Sequence, residues 1–323
     1  MTSQGKRIVV GVFGGVGLLL ILLFVLAFLP LENPLPNHPV DADGAARLRD
    51  ECEQAHLVFD SRDGESLFMR RWEPDSLRPG TRDVAVLIFH GVTAHSGAYA
   101  MAGEPLAAAG YTTFGFDYRG HGLSGGRRGD YASRQLWVSD LAHALDEVHA
   151  QGFEKVVLLG HSLGVAAAIY TAREVPDEVS ALILLSGGYE RREGTGGMTF
   201  TLLQKLQILS SAFLRPGRPV VTYYRENITG MDDPLFNFRY SYRALSMVQR
   251  EYLDLPADLD IPVLVAVGEE DELFGPETIT DLYNDVPGTH KELMFLPGAT
   301  HASFPSESWA SLIDWLDRTY GGI

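Results

Sequence analysis

Three residues of types that cooperate in nucleophilic catalysis stand in separate stretches of the sequence: Ser162 in "GHSLG", Asp271 in "GEEDELF" and His301 in "GATHASF". A serine hydroxyl is a weak nucleophile until a base removes its proton, and a histidine base needs a carboxylate to orient it. The chain order serine, acid, histidine is one in which such triads occur. The pattern predicts Ser162 as nucleophile, His301 as base and Asp271 as the orienting acid.

The surroundings of Ser162 support the nucleophile role. Gly160-His161-Ser162-Leu163-Gly164 follows the β-branched, leucine-rich run "VVLL" and precedes the alanine-rich run "VAAAIY". A strand, a sharp turn and a helix in this order form a nucleophile elbow, in which small glycines let strand and helix approach closely. The alternative is that Ser162 only caps the helix.

Asp271 and His301 each follow a predicted strand, "IPVLVAVG" and "KELMFLPG" respectively. Because the carboxyl ends of parallel strands meet at one edge of a sheet, both side chains are expected beside Ser162. Glu269, Glu270 and Glu272 remain competitors for the acid role.

A tetrahedral oxyanion needs two backbone N–H donors. Leu163, directly after the nucleophile, is expected to supply one, and Val92, after the strand "VLIF" and His90-Gly91, the other. The alternative for His90-Gly91 is a plain strand-to-loop turn. His161 and His121 are expected to be structural or pocket-lining, because neither lies on the segment that carries the base.

The elements that must position these residues alternate between strand and helix from His56 onward. Short apolar runs such as "VAVLIF" are typical of strands buried on both faces, and "SRQLWVSDLAHALDEVHAQG" has apolar residues at helical spacing. This alternation predicts an α/β fold with a mostly parallel, doubly wound sheet.

The alternation breaks at residues 188–260, which are predicted to form an insertion in the sheet order. Its segments "MTFTLLQKLQILSSAFL" and "DDPLFNFRYSYRALSMVQREYL" are apolar or aromatic and helical in pattern. They fit ordinary helix packing, or a helical cap whose apolar inner face meets a lipid-like substrate.

The N-terminal stretch from Ile8 to Pro30 contains no charged residue. About 20 apolar residues suffice to span a bilayer, so residues 1–30 are predicted to be a cytoplasmic stub and a transmembrane anchor through residues 8–29. A cleaved signal peptide is the alternative.

Lys6 and Arg7 favour a cytoplasmic N-terminus and an extracytoplasmic main domain, periplasmic or extracellular in a bacterium. Residues 31–55 read as a linker and residues 56–323 as the main domain.

Composition excludes several classes of function. The net charge of −16 and the absence of a basic stripe argue against nucleic-acid binding. Cys52 is the sole cysteine, so the chain has neither an intrachain disulfide nor a zinc site built from several thiolates.

Together, "HGVTAHSGAY", "FDYRGHGLSGG", "GHSLG", "GEEDELF" and "GATHASF" resemble the monoacylglycerol lipase and serine aminopeptidase-like branch of the α/β-hydrolases. The resemblance implies an α/β-hydrolase fold with a cap, and hydrolysis of monoacylglycerols, lysophospholipids or related carboxylic esters without metal or organic cofactor. A membrane-anchored serine ester hydrolase acting on lipid-like esters is the resulting expectation. A peptidase or amidase, and a non-catalytic binding protein with this fold, are the alternatives, and the oligomeric state stays open.

Overall fold

The structure is a computed structural model, and it describes residues 3–30, 39–76, 78, 80–193, 195, 200–224 and 228–321. Side chains of the first helix are described from Gly15 onward.

In the described part of the chain, eight strands form the central sheet, and two short strands form a separate antiparallel pair. In chain order the strands are β1 His56–Asp60, β2 Ser66–Trp72, β3 Val84–Phe89, β4 Thr112–Asp117, β5 Lys155–His161, β6 Ala181–Leu185, β7 Pro219–Thr222, β8 Arg239–Ser241, β9 Val263–Gly268 and β10 Lys291–Leu296. The sheet order is β1-β2-β4-β3-β5-β6-β9-β10, with β7 and β8 as the separate pair. All neighbours from β4 to β10 are parallel, whereas β1 and β2 pair antiparallel. The predicted mostly parallel sheet is confirmed.

The described helices are α1 Ser3–Phe28, α2 Ala42–Asp50, α3 Ala100–Ala108, α4 Arg134–Ala150, α5 Leu163–Glu174, α6 Leu202–Leu214, α7 Tyr242–Leu245, α8 Pro276–Asp285 and α9 Ser306–Tyr320. They cover both faces of the sheet. Along β3, Ala85, Leu87 and Phe89 belong to a core shared with α4, α5 and α8, while the alternate residues belong to a core shared with α3 and α9. This two-residue alternation explains why β3 is apolar throughout, since both of its faces are buried.

The segment between β6 and β9 carries α6, β7, β8 and α7, in the range predicted for the cap. In its second half Phe238 and Tyr240 are about as enclosed as the central sheet, whereas Tyr242 on α7 is 52% exposed. Its first half differs from the expected apolar inner face. On α6 most of the leucines and Phe213 are exposed, while Gln207, Ser210 and Ser211 are buried.

Helix α1 covers the stretch predicted to be a transmembrane anchor. Across the described residues, no helix combines the length and apolar character that crossing a membrane requires. The predicted transmembrane helix, and with it the single-pass topology, is therefore not supported.

The predicted linker at residues 31–55 also differs in part from the structure. Its residues 31–38 lie outside the described residues. Helix α2 occupies residues further along, and Asp41 begins it by accepting the Gly44 N–H at 2.7 Å. The side chain of Asp41 is a favourable N-cap, which explains a helix in this turn-rich stretch.

Candidate active site

Ser162 stands at a strained turn between β5 and α5. Its φ of 55° lies in the left-handed region, which non-glycine residues rarely adopt. A Cβ on Gly160 would lie 2.1 Å from the Gly164 oxygen, and one on Gly164 would lie 2.0 Å from the Phe89 oxygen. Glycine is therefore required at both positions for β5, β3 and α5 to approach this closely. The Ser162 side chain makes no capping hydrogen bond to α5, which removes the alternative of a simple helix cap.

The three residues singled out in the sequence lie together at the carboxyl edge of the sheet. Ser162 Oγ is 3.1 Å from His301 Nε2, and His301 Nδ1 is 3.1 Å from Asp271 Oδ2. Ser162 follows β5, Asp271 follows β9 and His301 follows β10. The distances allow proton transfer from the hydroxyl to the imidazole, with the carboxylate holding the opposite ring nitrogen.

Asp271 is fully buried, and its carboxylate accepts several hydrogen bonds. Its Oδ1 accepts the backbone N–H groups of Leu273 at 2.8 Å and Phe274 at 2.9 Å. Burial alone would raise the pKa of this carboxyl, but the hydrogen bond from His301, its charge and these two N–H groups hold the pKa below its ordinary value. The carboxylate is therefore ionised at neutral pH.

Asp271, among the four candidate acids, makes the contact with the imidazole Nδ1 of His301. Glu269 and Glu270 are exposed. Glu272 accepts the backbone N–H of His301 at 3.1 Å and thereby supports the loop that carries the histidine. Of the four acids in "EEDE", Asp271 is the one placed against Nδ1.

The two residues expected to supply the oxyanion donors line the same cavity as Ser162. Leu163 is the first residue of α5, where a backbone N–H has no partner within the helix. Val92 lines the same cavity as Ser162 and Leu163. The cap holds the Val92 loop, because the Tyr240 hydroxyl donates to the Val92 oxygen and the Asn237 N–H donates to the Thr93 oxygen at 2.9 Å. The loop after β3 is thus more than a plain turn.

A buried hydrogen-bonded chain joins the oxyanion loop to the loop of the base. The Gly91 N–H donates to the Tyr99 hydroxyl at 2.8 Å, and this hydroxyl lies 2.5 Å from His161 Nδ1. His161 Nε2 lies 2.8 Å from the backbone oxygen of His301. Burial lowers the pKa of His161 to about 3, so the ring is neutral. One arrangement satisfies every group: Tyr99 donates to Nδ1, and Nε2–H donates to the His301 oxygen.

His161 belongs to the predicted elbow, whereas Tyr99 is not predicted from the sequence. The only sequence signal for Tyr99 was its place in "HSGAY", eight residues beyond Gly91. His121 lines the main cavity, as expected, and its ring stacks on Tyr240 at 5.8 Å between centroids.

Two cavities meet at Ser162. The first has a volume of about 300 Å³ and lies between α4, α5 and the cap. Its lining is mainly aromatic and aliphatic, with Arg191 as its charged member: Val92, Tyr118, His121, Tyr131, Trp137, Ser162, Leu163, Val165, Ala166, Gly188, Tyr189, Arg191, Tyr223, Tyr240, Ala244, Leu245, Met247, Val248, Leu253 and Phe274. The second, about 230 Å³, lies on the side of Gly91, Tyr99 and His301. Neither cavity has a carboxylate among the described residues that line it.

Comparisons with known proteins agree with this architecture. Residues 80–308 match the family described as serine aminopeptidase, S33. The chain is 29% identical over 256 residues to a monoglyceride lipase of Rattus norvegicus, covering 76% of this chain and 82% of that protein. It is 24% identical over 257 residues to a monoacylglycerol lipase of Mycolicibacterium smegmatis, covering 75% and 88%.

The crystal structure of a soluble variant of monoglyceride lipase from Saccharomyces cerevisiae, in complex with a substrate analog, has the same fold. The TM-score is 0.64 at 20% identity, with 90% of this chain and 99% of that chain covered. The family match spans most of the chain and includes the elbow, the acid loop and the histidine loop. The chain belongs to the serine aminopeptidase S33 family of the α/β-hydrolase fold.

Proposed function

We propose that this chain is a serine-dependent carboxylic ester hydrolase that acts on lipid-like esters of the monoacylglycerol or lysophospholipid type. Relatives described as monoglyceride or monoacylglycerol lipases support ester hydrolysis. The contacts that support a catalytic triad are the two 3.1 Å distances joining Ser162, His301 and Asp271.

In the proposed mechanism, Ser162 Oγ attacks the ester carbonyl while its proton moves to His301 Nε2. The tetrahedral oxyanion is stabilised by the N–H groups of Val92 and Leu163. The C–O bond to the alcohol then breaks, and His301 returns the proton to the leaving oxygen. Water, deprotonated by the same imidazole, attacks the acyl-enzyme and releases the carboxylic acid. Asp271 keeps the imidazole in the productive tautomer and stabilises its charged form.

The cavity beside Ser162 is the observation that best supports a lipid-like substrate. Its aromatic and aliphatic lining offers an acyl chain a site removed from water, and burial of each CH₂ group contributes about 0.8 kcal/mol. Tyr240, Met247 and Leu253 of the cap contribute to this lining. The cap segment from β8 onward therefore supports the predicted lid over an apolar substrate.

A peptidase, as the family description suggests, is the second candidate. A peptide N-terminus carries a positive charge that needs a carboxylate or comparable acceptors near the scissile bond. The described lining of both cavities lacks a carboxylate, and the charged residue of the larger cavity is Arg191. Repulsion between Arg191 and an ammonium group argues against this substrate.

The proposal includes work at a membrane, where amphiphilic esters collect. The uncharged run at residues 8–29 and the exposed leucines around Leu20 support this attachment. The cytoplasmic position of the N-terminus, suggested by Lys6 and Arg7, stays a prediction from the sequence.

A substrate panel tests the proposal. The full chain in mild detergent is given monoacylglycerols and lysophosphatidylcholines of several acyl lengths, a short soluble ester and aminoacyl anilides. Ser162→Ala serves as the blank. We expect the highest kcat/KM for a long-chain lipid ester and no turnover by the variant. Faster cleavage of the anilides, or of the short ester than of every lipid, would contradict the substrate assignment.

A further inference from the structure

We infer that α1 and α6 form one lipid-binding surface, embedded among the acyl chains of a bilayer, so that the cap itself is held at the membrane. This rests on the membrane attachment proposed above and extends it from the N-terminal segment to the cap. The α1–α6 surface consists of the exposed apolar side chains of both helices and of the residue that follows α1: Val16, Leu18, Leu19, Leu20, Ile21, Leu22, Phe24, Val25, Phe28, Leu29, Leu202, Leu203, Leu209, Phe213 and Leu214.

The burial pattern of α6 is inverted relative to a helix on a water-soluble protein. Leu202 and Phe213 are 74% and 81% exposed, whereas Gln207, Ser210 and Ser211 are buried. Leu202, Leu209 and Phe213 share one face at spacings of seven and four. A surface helix in water normally buries its apolar face. Helices surrounded by lipid pack through small or polar residues and leave apolar side chains outside. The pattern of α6 fits lipid.

The C-terminal end of α1 is fixed to the cap. Leu26 and Ala27 are buried, and α1 packs against α6. The guanidinium of Arg218, just after α6, donates to the backbone oxygens of Ala27 and Leu29. The Ala27 carbonyl belongs to the last turn of α1 and the Leu29 carbonyl lies just beyond it, where such groups lack partners within the helix. The two helices therefore present their apolar side chains as one connected unit.

The exposed apolar residues of α1 indicate which kind of partner covers the α1–α6 surface. Residues Leu18 to Leu22 are five consecutive apolar residues, each between 49% and 70% exposed. Successive residues of a helix are separated by about 100°, so these side chains point to all sides. A protein partner covers one side of a helix, whereas acyl chains surround it. A bilayer accounts for the whole set, and a second copy of the chain accounts for part of it.

The positively charged residues next to the α1–α6 surface also favour a lipid bilayer. Lys205, Arg215 and Arg218 lie on or directly after α6, and the Arg215 guanidinium lies 4.8 Å from the ring centroid of Phe28. The chain as a whole has a formal net charge of −16. Cations beside an apolar face, in an otherwise acidic protein, match the phosphates of anionic lipids.

The experiment measures whether α6 enters the acyl region. A bimane fluorophore is attached at Phe213→Cys in the full chain, with Cys52→Ser to remove the native thiol, and the protein is added to phosphatidylcholine–phosphatidylglycerol vesicles. We expect a blue shift, and quenching by brominated acyl chains as strong as at Leu20→Cys on α1. Phe295→Cys, on the sheet edge and 40% exposed, is the matched control and should stay unquenched.

Quenching at position 20 without quenching at position 213 would overturn the inference, since α1 alone would then enter the lipid. Shielding of position 213 without vesicles, together with dimers in light scattering, would also overturn it in favour of a second copy.

A second measurement uses Leu209→Ser with Phe213→Ser, against Phe295→Ser as control. Vesicle partitioning should fall about tenfold or more, while hydrolysis of a short soluble ester is retained. Unchanged partitioning would contradict the inference. Because fluorophore depth is read without catalysis, a failure here is distinguishable from a failure of the proposed hydrolase activity.

Discussion

The carboxylate of Asp271 lies 3.1 Å from the imidazole Nδ1 of His301, while the adjacent Glu272 accepts the backbone N–H of the same histidine. The two acids therefore have separable roles. Asp271→Asn should lower kcat on the order of 10⁴-fold, because an amide no longer selects the productive tautomer or balances the imidazolium charge. Steady-state kinetics on the preferred ester would measure the loss.

Glu272→Gln is the matched control, and it should change kcat far less because an amide oxygen still accepts the His301 N–H. A larger loss from Glu272→Gln than from Asp271→Asn would show that the acid has been assigned to the wrong residue.

Tyr99→Phe tests the buried chain behind the oxyanion loop. The change leaves the Gly91 N–H and His161 Nδ1 without their partner in a dry site. We expect kcat to fall about tenfold with little change in KM, because the loop that stabilises the transition state loses its support. Tyr111→Phe removes a comparable hydroxyl, which donates to Asp317 at 2.7 Å, and should leave kcat unchanged. Equal kinetics for Tyr99→Phe and the wild type would refute this positioning role.

Three buried histidines make stability depend on pH. Burial lowers the pKa of His90, His121 and His161 to about 3, against about 6.5 in the unfolded chain. Between these values the unfolded chain binds more protons, so the free energy of unfolding falls as pH falls below about 6.5. Each histidine contributes up to about 1.4 kcal/mol per pH unit. Urea unfolding from pH 7 to pH 5 would show the slope.

Asparagine does not titrate over this range. In His121→Asn the pH dependence of the free energy of unfolding should therefore weaken by an amount that corresponds to about one bound proton. A free energy of unfolding that stays constant over this range would contradict the buried, neutral state of these rings.

Ser186, directly after β6, has a strained backbone conformation that a substitution can relieve. Its φ is 50°, and its buried hydroxyl has no hydrogen-bond partner in the part of the chain that the structure describes. Ser186→Gly should raise the free energy of unfolding by about 1 kcal/mol, because relief of backbone strain and of the unpaired hydroxyl outweighs the entropy of glycine. Ser186→Ala, which keeps the strained φ, should gain less. A lower thermal midpoint for Ser186→Gly would argue against this account.

The sequence was sufficient to predict the sheet and the residues around Ser162. Each strand near the site is a short apolar run, and Asp271 and His301 follow their strands by a few residues, so the parallel sheet brings them together. Tyr99 could not be predicted in the same way. Its hydroxyl reaches Gly91 and His161 because the 3₁₀ turn Ser96–Tyr99, just before α3, packs beside the sheet, and neither periodicity nor spacing encodes that contact.

The cap was the less predictable part of the fold. Helical periodicity identified the apolar side chains of α6 but not the direction in which they point. An apolar stripe faces a protein core in water and the acyl chains in lipid, so the same pattern fits both. The inference that α6 faces lipid rests on the burial of Ser210 and Ser211, which is visible only in the folded chain.

The central claim is that Ser162 is the attacking nucleophile, and covalent labelling tests it most directly. The folded full chain is treated with a fluorophosphonate, digested, and analysed by mass spectrometry for the modified peptide. We predict one adduct, on the peptide that contains Ser162, which is absent from Ser162→Ala and greatly slowed in Asp271→Asn. An adduct on another residue, or none on the folded wild-type protein, would contradict the claim.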